Sequence, residues 1–177
     1  MNSKTEQHDD ASQIEDVVQY LTFKLDGESF ATEISKVREV LEYTQVTPVP
    51  RSPEFMQGVI NLRGNVVPVV DLRLQFGMPT IEPTVDSCII IIEVTIEGTS
   101  TVLGALADSV QEVINLRPEQ LESAPSFGAR IDNAFVQYMG KLKDRFVIVL
   151  DMNKVFSLEQ INKVEQNRTL DNDIEAA

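Results

Sequence analysis

Alternating apolar and polar residues are the dominant pattern of the chain and predict β-strands from residue 18 onward. In the segment 18–25, Leu21, Phe23 and Leu25 share one face of an extended chain. Asp26-Gly27 follows directly, which is a strong signal for a two-residue hairpin turn, and the segment 30–34 forms the predicted return strand. The N-terminal part of the fold is therefore predicted to be a β-hairpin.

Further strands are predicted along the whole chain, and turns separate them. Arg63-Gly64-Asn65 and Lys143-Asp144 are predicted to close two more hairpins, and Glu97-Gly98 another. Pro68 lies inside one predicted strand and favours an edge or a bulge there, because proline cannot donate to a sheet ladder. The remaining predicted strands are 37–43, 59–62, 66–70, 87–96, 102–106, 110–116, 135–142 and 145–150.

Only short helices are predicted. Asp71 caps a helix over 71–76 that Gly77 ends, and Asp151 starts a last helix that runs through Phe156 toward Val164. Ser52-Pro53-Glu54 also has the composition of a helix start. The fold class is therefore predicted to be all-β, with short helices and a C-terminal helix.

The two halves of the chain repeat the same landmarks in the same order. Asp26-Gly27 corresponds to Glu97-Gly98, the segment 37–41 to 110–114, Pro53-Glu54-Phe55 loosely to Pro125-Ser126-Phe127, Gly58 to Gly140, and Asp71 to Asp151. Such a repeat predicts two small tandem β-barrels of about five strands each. Barrels of ~70 residues are only marginally stable alone, so they should share an apolar interface that the two short helices help to seal.

These patterns divide the chain into three parts. Residues 1–16 are predicted to be a disordered acidic arm, and residues 17–157 one domain of two intertwined barrels, the first over 17–77 and the second over 86–157. Residues 158–177 form the helix end and a polar tail.

Composition excludes several functions. The net charge of −13 disfavours nucleic acid and anionic membranes, and the longest apolar run, Cys88 to Ile92, is only one strand long. A polar start and a single cysteine predict a cytoplasmic protein without direct membrane insertion.

Catalytic and metal-binding residues are scarce. The only histidine, His8, lies in the acidic arm, and Cys88 is the only cysteine, so no Ser/His/Asp set and no His/Cys metal cluster is possible in the predicted core. No phosphate-binding glycine motif occurs. We therefore predict no enzyme activity, no metal site and no cofactor.

The segment from Gly58 to Gly77 carries the most specific signal. Arg63 lies at a hairpin tip, where its guanidinium faces solvent or a partner, and a turn does not need an arginine there. Gly64 supplies a positive φ, and Asn61 can bond backbone near the turn, so turn chemistry and function explain these two equally well.

This segment resembles the CheW-like domain family. The resemblance rests on Gly58-Val59, Asn61-Leu62-Arg63-Gly64, Pro68, Asp71-Leu72-Arg73 and Phe76, with Lys36-Val37-Arg38-Glu39-Val40 upstream and Gly104 to Val113 downstream. It covers roughly residues 17–157 and implies two five-stranded SH3-like barrels. The chain has no phosphotransfer, ATP-binding or receiver segment, so it is similar to the stand-alone coupling members of the family.

The resemblance also implies partners and a site. Couplers of this family bind the cytoplasmic tip of methyl-accepting chemoreceptors, the regulatory domain of the histidine kinase CheA, and other CheW-like domains, in membrane-associated arrays. The positions carried over from the family motif as partner-binding are Val37, Glu39, Gly58, Arg63 and Gly64, with Asn61 a weaker addition. We also expect Glu39 and Arg63 to pair across adjacent strands, which would orient Arg63 toward a partner.

Two alternatives stay open. A double β-barrel can hold a small ligand, although barrels this small are usually filled by their own side chains. A CheW-like coupler can also serve a pathway other than flagellar chemotaxis. The sequence alone does not separate these hypotheses.

Overall fold

A computed structural model describes residues 16–124 and 133–156. The predicted acidic arm (Asp16 apart), the segment around Pro125-Ser126-Phe127, the continuation of the last helix toward Val164 and the polar tail lie outside the described residues. The strands are β1 (Val18–Leu25), β2 (Glu28–Glu33), β3 (Val37–Glu42), β4 (Met56–Leu62), β5 (Asn65–Asp71), β6 (Cys88–Ile96), β7 (Thr99–Ala107), β8 (Ser109–Leu116), β9 (Leu121–Glu122), β10 (Val136–Lys141) and β11 (Phe146–Leu150). The helices are α1 (Leu72–Gln75) and α2 (Met152–Val155), with 3-10 turns at Ile34–Lys36, Pro118–Gln120 and Asn133–Phe135.

The strands form two sheets, as predicted for a mainly-β fold of two SH3-like barrels. One sheet has five strands in the order β3-β6-β7-β5-β4, and we call it the five-stranded barrel. The other has the order β8-β1-β2-β11-β10-β9, where β9 has only two residues, and we call it the six-stranded barrel. The hairpin turns at Asp26-Gly27 and Glu97-Gly98 have positive φ at both residues, as a type I′ turn requires.

The two barrels exchange strands between the halves of the chain. The first hairpin, β1 and β2, joins β8 to β11 of the second half, while β3 to β5 join β6 and β7. The expected division into a first barrel over 17–77 and a second over 86–157 is therefore not the division that the sheets make. Hydrophobic periodicity fixes where strands lie but not which strands they pair with.

The main hydrophobic core lies between the barrels, as the predicted shared interface requires. Phe23 and Phe30 come from the six-stranded barrel and stack 6.0 Å apart, and Phe76, which follows α1, lies 6.1 Å from Phe30. Leu72 and Met152 of the two short helices belong to this same core. Each barrel also has a smaller core of its own.

The helix predicted at Ser52-Pro53-Glu54 does not form. The segment is a turn in which Met56 N–H donates to Pro53 O, and β4 begins at Met56. Phe55 is buried, and its carbonyl accepts a hydrogen bond from Asp71 N–H. The residues that would have formed the helix are therefore paired with β5 instead.

Of two other local predictions, one is confirmed in part and one is wrong. β5 is an inner strand, but its pairing with β7 covers only Val69–Asp71, so Pro68 lies at a local edge where β4 is the only paired neighbour. Gly140 pairs with Val147 as Ile60 pairs with Val67, so its repeat equivalent is Ile60 and not Gly58.

Candidate docking surface

Glu39 and Arg63 form the predicted ion pair, but the expectation that their strands are adjacent is wrong, because β3 and β4 lie at opposite ends of the sheet. Both Arg63 Nη atoms donate to the two carboxylate oxygens of Glu39, each at 2.8 Å. β3 and β4 are the outermost strands of the sheet, so the pair joins the two sides that meet when the barrel closes. The Arg63 side chain is 74% exposed, so it stays available to a partner.

The pair is fully ionised at neutral pH. The hydrogen bonds from Arg63, and then its charge, lower the pKa of Glu39 against a smaller opposing effect of desolvation. The same contacts raise the pKa of Arg63. Because the pair is exposed, it orients the guanidinium and adds little to stability.

A tight turn presents Arg63. Arg63 and Gly64 have φ values of 50° and 86°, and Asn61 Oδ1 accepts a hydrogen bond of 2.8 Å from Gly64 N–H. The predicted turn chemistry of Asn61 and Gly64 is therefore confirmed. The turn has two residues and not three, because Asn65 pairs with Leu62.

An open groove of about 660 Å³ adjoins this pair. Buried Val67 and Ile91 lie along it, and Val66, at 73% exposed, stands beside them. The other lining residues are Arg38, Glu39, Leu62, Arg63, Asn65, Ser100, Thr101 and Val102. Apolar surface bordered by polar and charged groups is typical of a protein–protein contact.

A second ion pair borders the groove, and the sequence reasoning missed it. Arg38 Nε donates to Glu93 Oε2 at 2.8 Å, and Ser100 Oγ donates to the other oxygen of Glu93. The hydrogen bonds from Ser100 and then Arg38 lower the pKa of Glu93. No local pattern signalled this pair, because Arg38 lies at a register shift of β3 between Val37 and Glu39, and Glu93 is 55 residues away in the sequence.

Gly58 and Val37 do not line the groove but support the barrel. Thr47 and Val59 exchange two backbone hydrogen bonds of 2.9 Å, and Gly58 lies against this contact with a φ of 145°. A Cβ on Gly58 would overlap the carbonyl oxygen of Thr47. Val37 is half-buried against the core between the barrels.

The six-stranded barrel has a comparable ion pair. Glu112 of β8 occupies the repeat position of Glu39 and lies 3.4 Å from Arg145, which precedes β11 and occupies the repeat position of Asn65. Val113 and Phe146 are 49% and 58% exposed, and they occupy the repeat positions of Val40 and Val66. Each barrel therefore carries an acid–arginine pair next to exposed apolar side chains.

Residues 16–124 and 133–156 contain neither a candidate metal site nor a candidate membrane-spanning helix. These residues contain no group of three or more His, Cys, Asp or Glu side chains that could hold a metal ion. They also include no helix that is long and apolar enough to cross a membrane.

The fold and the two surfaces define a class: fused SH3-like barrels whose exposed faces suit contacts with other proteins. The CheW-like domain family matches residues 19–160. The chain belongs to this CheW-like family.

Similar proteins cover most of the chain. Chemotaxis protein CheW of Klebsiella aerogenes is 32% identical over 147 residues, which are 83% of this chain and 86% of that relative. Chemotaxis protein CheW of Rhizobium meliloti is 31% identical over 140 residues, 79% and 88% of the two chains. The crystal structure of the scaffolding protein TtCheW from Thermoanaerobacter tengcongensis has a TM-score of 0.70 and 34% identity, and covers 78% of this chain and 87% of that one.

These similarities give the chain a role as an adaptor or scaffold in chemotaxis. The family is one of non-catalytic scaffolds, which agrees with the expectation that this chain is not an enzyme.

Proposed function

We propose that this chain couples transmembrane chemoreceptors to the histidine kinase CheA within membrane-associated signalling arrays. The observation that carries the proposal is the pair of similar exposed surfaces, one on each barrel, with Arg63 and Glu39 on the first and Arg145 and Glu112 on the second. A protein with two such surfaces can hold two partners at once, or link partners into a chain or ring.

The partners are the regulatory domain of CheA, the cytoplasmic receptor tip and other CheW-like domains. Arg63 and Glu39 act by direct contact, since both line the open groove. Asn61 and Gly64 act by holding the turn that presents Arg63. Val37 and Gly58 act through the shape of the barrel, because Val37 packs against the core and Gly58 packs against the backbone of Thr47.

Alanine substitution of the exposed pair tests this proposal. Arg63→Ala and Glu39→Ala should remain folded and should lower the affinity for the kinase domain or the receptor tip by about tenfold, the loss typical of a central interface arginine. Affinities are measured by calorimetry, with partner fragments encoded in the same genome as this chain.

Arg117→Ala is the matched control, since it removes an exposed arginine between β8 and β9 and should leave both affinities unchanged. The proposal fails if the folded Arg63→Ala and Glu39→Ala proteins bind both partners as tightly as the original chain.

A further inference from the structure

The chain crosses between the two barrels at equivalent points of the repeat. β7 pairs in parallel with β5 at Gly104 and Val69, and β2 pairs in parallel with β11 at Ala31 and Val149. Asp108 lies four residues after Gly104, at the first crossing, which leads from β7 to β8. Ser35 lies four residues after Ala31, at the second crossing, which leads from β2 to β3. The short helices are also equivalent in the repeat, so that Asp71-Leu72-Arg73 corresponds to Asp151-Met152-Asn153.

At the first crossing, Arg73 joins the two barrels by charged hydrogen bonds. Its Nε and Nη2 atoms donate to the two oxygens of Asp108 at 2.7 and 2.6 Å, and its Nη1 donates to Pro79 O at 3.0 Å. The side chain is only 9% exposed. A bidentate contact of this kind fixes the relative orientation of the two side chains as well as their distance.

Asp108 carries the connection into the six-stranded barrel. Its Oδ2 accepts a hydrogen bond of 2.8 Å from Asp26 N–H, in the turn between β1 and β2, and its own N–H donates to Lys24 O at 3.0 Å. The Asp26 carboxylate lies 3.8 Å from Arg73. Helix α1 of one barrel is thus tied to the first hairpin of the other.

Arg73 and Asp108 are both charged at neutral pH. Burial raises the pKa of Asp108, but the hydrogen bonds from Arg73 and Asp26 N–H, and the charge of Arg73, outweigh burial and leave the pKa lowered. The hydrogen bond to Asp108 raises the pKa of Arg73 in turn.

Among residues 16–124 and 133–156, the second crossing shows no such pair of charged side chains. Asn153 stands in the place of Arg73, and its Oδ1 accepts one neutral hydrogen bond of 3.0 Å from Thr95 N–H. Ser35 stands in the place of Asp108, and its hydroxyl donates to Glu33 on its own side of the crossing. A cleft of about 220 Å³ remains between α2 and this crossing, lined in part by Thr32, Lys36 and Asn153.

We propose that Arg73 is a positioning residue that, with Asp108, fixes the angle between the two barrels at the first crossing, and we call this pair the clamp. At the second crossing, where Asn153 replaces Arg73, the barrels can move relative to one another. The shared core keeps the barrels in contact, so the clamp decides their angle and not their association. The two docking surfaces lie on different barrels, so this angle also sets how two partners face one another. That last consequence rests on the proposed function, whereas the clamp does not.

Distance measurements between the barrels test the clamp directly. In a Cys88→Ser background, spin labels at Val40→Cys and Val113→Cys report the spacing between exposed strands of the two barrels. Arg73→Lys keeps the charge but loses the bidentate contact, and Asp108→Asn keeps the shape. Both should broaden the distance distribution while the protein still unfolds in one transition.

Introducing the same two residues at the second crossing should have the opposite effect on the distance distribution. Ser35→Asp combined with Asn153→Arg places the missing residues at the second crossing and should narrow the distribution below its original width. An unchanged distribution in the folded Arg73→Lys and Asp108→Asn proteins would overturn the proposal, as would a double substitution that folds and widens it.

A functional measurement separates this inference from the proposed function. If both hold, Arg73→Lys lowers receptor control of kinase activity by about tenfold, a typical coupling effect, while each separate affinity changes little. A broadened distribution without binding to either partner would keep the clamp and reject the proposed coupling. Loss of control with an unchanged distribution would reject the clamp.

Discussion

Among the glycines within the described residues, Gly58 has the least room for a side chain. Its positive φ and its contact with the Thr47 carbonyl leave no room for a Cβ, and this contact closes the five-stranded barrel. Gly64 also has a positive φ, but nothing lies within 4 Å of its missing Cβ. The two glycines therefore have different reasons to be glycine.

The difference predicts unequal costs of substitution. Gly58→Ala should destabilise the fold by about 3 kcal/mol, because steric overlap with backbone adds to the strain of the left-handed conformation. Gly64→Ala should cost only about 1–2 kcal/mol, since only the backbone conformation is disfavoured. Urea unfolding followed by circular dichroism measures both values, and equal costs for the two substitutions would contradict this explanation.

The residue types of the docking surface were predictable, but their partners were only partly so. The pairing of Glu39 with Arg63 was expected from the positions that the family resemblance singled out, and not from local pattern. The bonds of Arg38 to Glu93 and of Arg73 to Asp108 were not predicted. They join residues 55 and 35 positions apart, and no local pattern specifies such a contact.

At the scale of elements, the two one-turn helices exist because the tertiary structure holds them. A helix of four residues is unstable alone, so its cap and its packing must stabilise it. Asp71 accepts hydrogen bonds from Arg73 N–H, Gln57 and Thr80, and it is buried. Within the part of the chain that the structure describes, Asp151 accepts only from the backbone of Asn153 and Lys154, and it is half-buried.

The caps should therefore differ in importance. Asp151→Ala should cost about 1 kcal/mol, the usual value for a lost N-cap. Asp71→Ala should cost about 2–4 kcal/mol, because it also leaves the side chains of Gln57 and Thr80 without their acceptor. Thermal and urea unfolding of the two proteins gives the comparison. A larger loss for Asp151→Ala would show that the cap bonds, and not the side-chain network, dominate.

Turns with a strong local preference were predicted correctly, and elements decided by distant strands were not. Asp26-Gly27 and Glu97-Gly98 form the expected hairpin turns because their residues suit positive φ. Ser52-Pro53-Glu54 has equally good helix signals, yet its neighbours Phe55 and Met56 pair with the end of β5. Pairing between the neighbouring strands β4 and β5 outweighs a weak preference for one helical turn.

For the whole molecule, strand exchange makes each barrel depend on both halves of the chain. β1 and β2 pair with β8 and β11, and β3 and β5 are bonded to β6 and β7. The stacked Phe23, Phe30 and Phe76 then bury the surface between the barrels. Neither half of the sequence contains a complete sheet.

Cutting the chain in the exposed linker between α1 and β6 tests this dependence. Fragments 1–85 and 86–177 should each lack a cooperative unfolding transition, because each leaves open strand edges and half of the shared core exposed. Mixed in equal amounts, they should regain the circular dichroism and the single transition of the intact chain. Cooperative unfolding of fragment 1–85 by itself would show that the first half folds without its partner strands.

The sequence by itself determined the strands, the hairpin turns, the helix caps, the repeat and the resemblance that led to the family. These features depend on neighbouring residues, through side-chain periodicity and the φ angles that glycine, aspartate and proline favour. Only the tertiary structure decided which strands share a sheet, where the groove lies and that Arg73 bonds to Asp108. Those contacts join distant parts of the chain, and the free energy that selects them comes from burial and pairing in the complete fold.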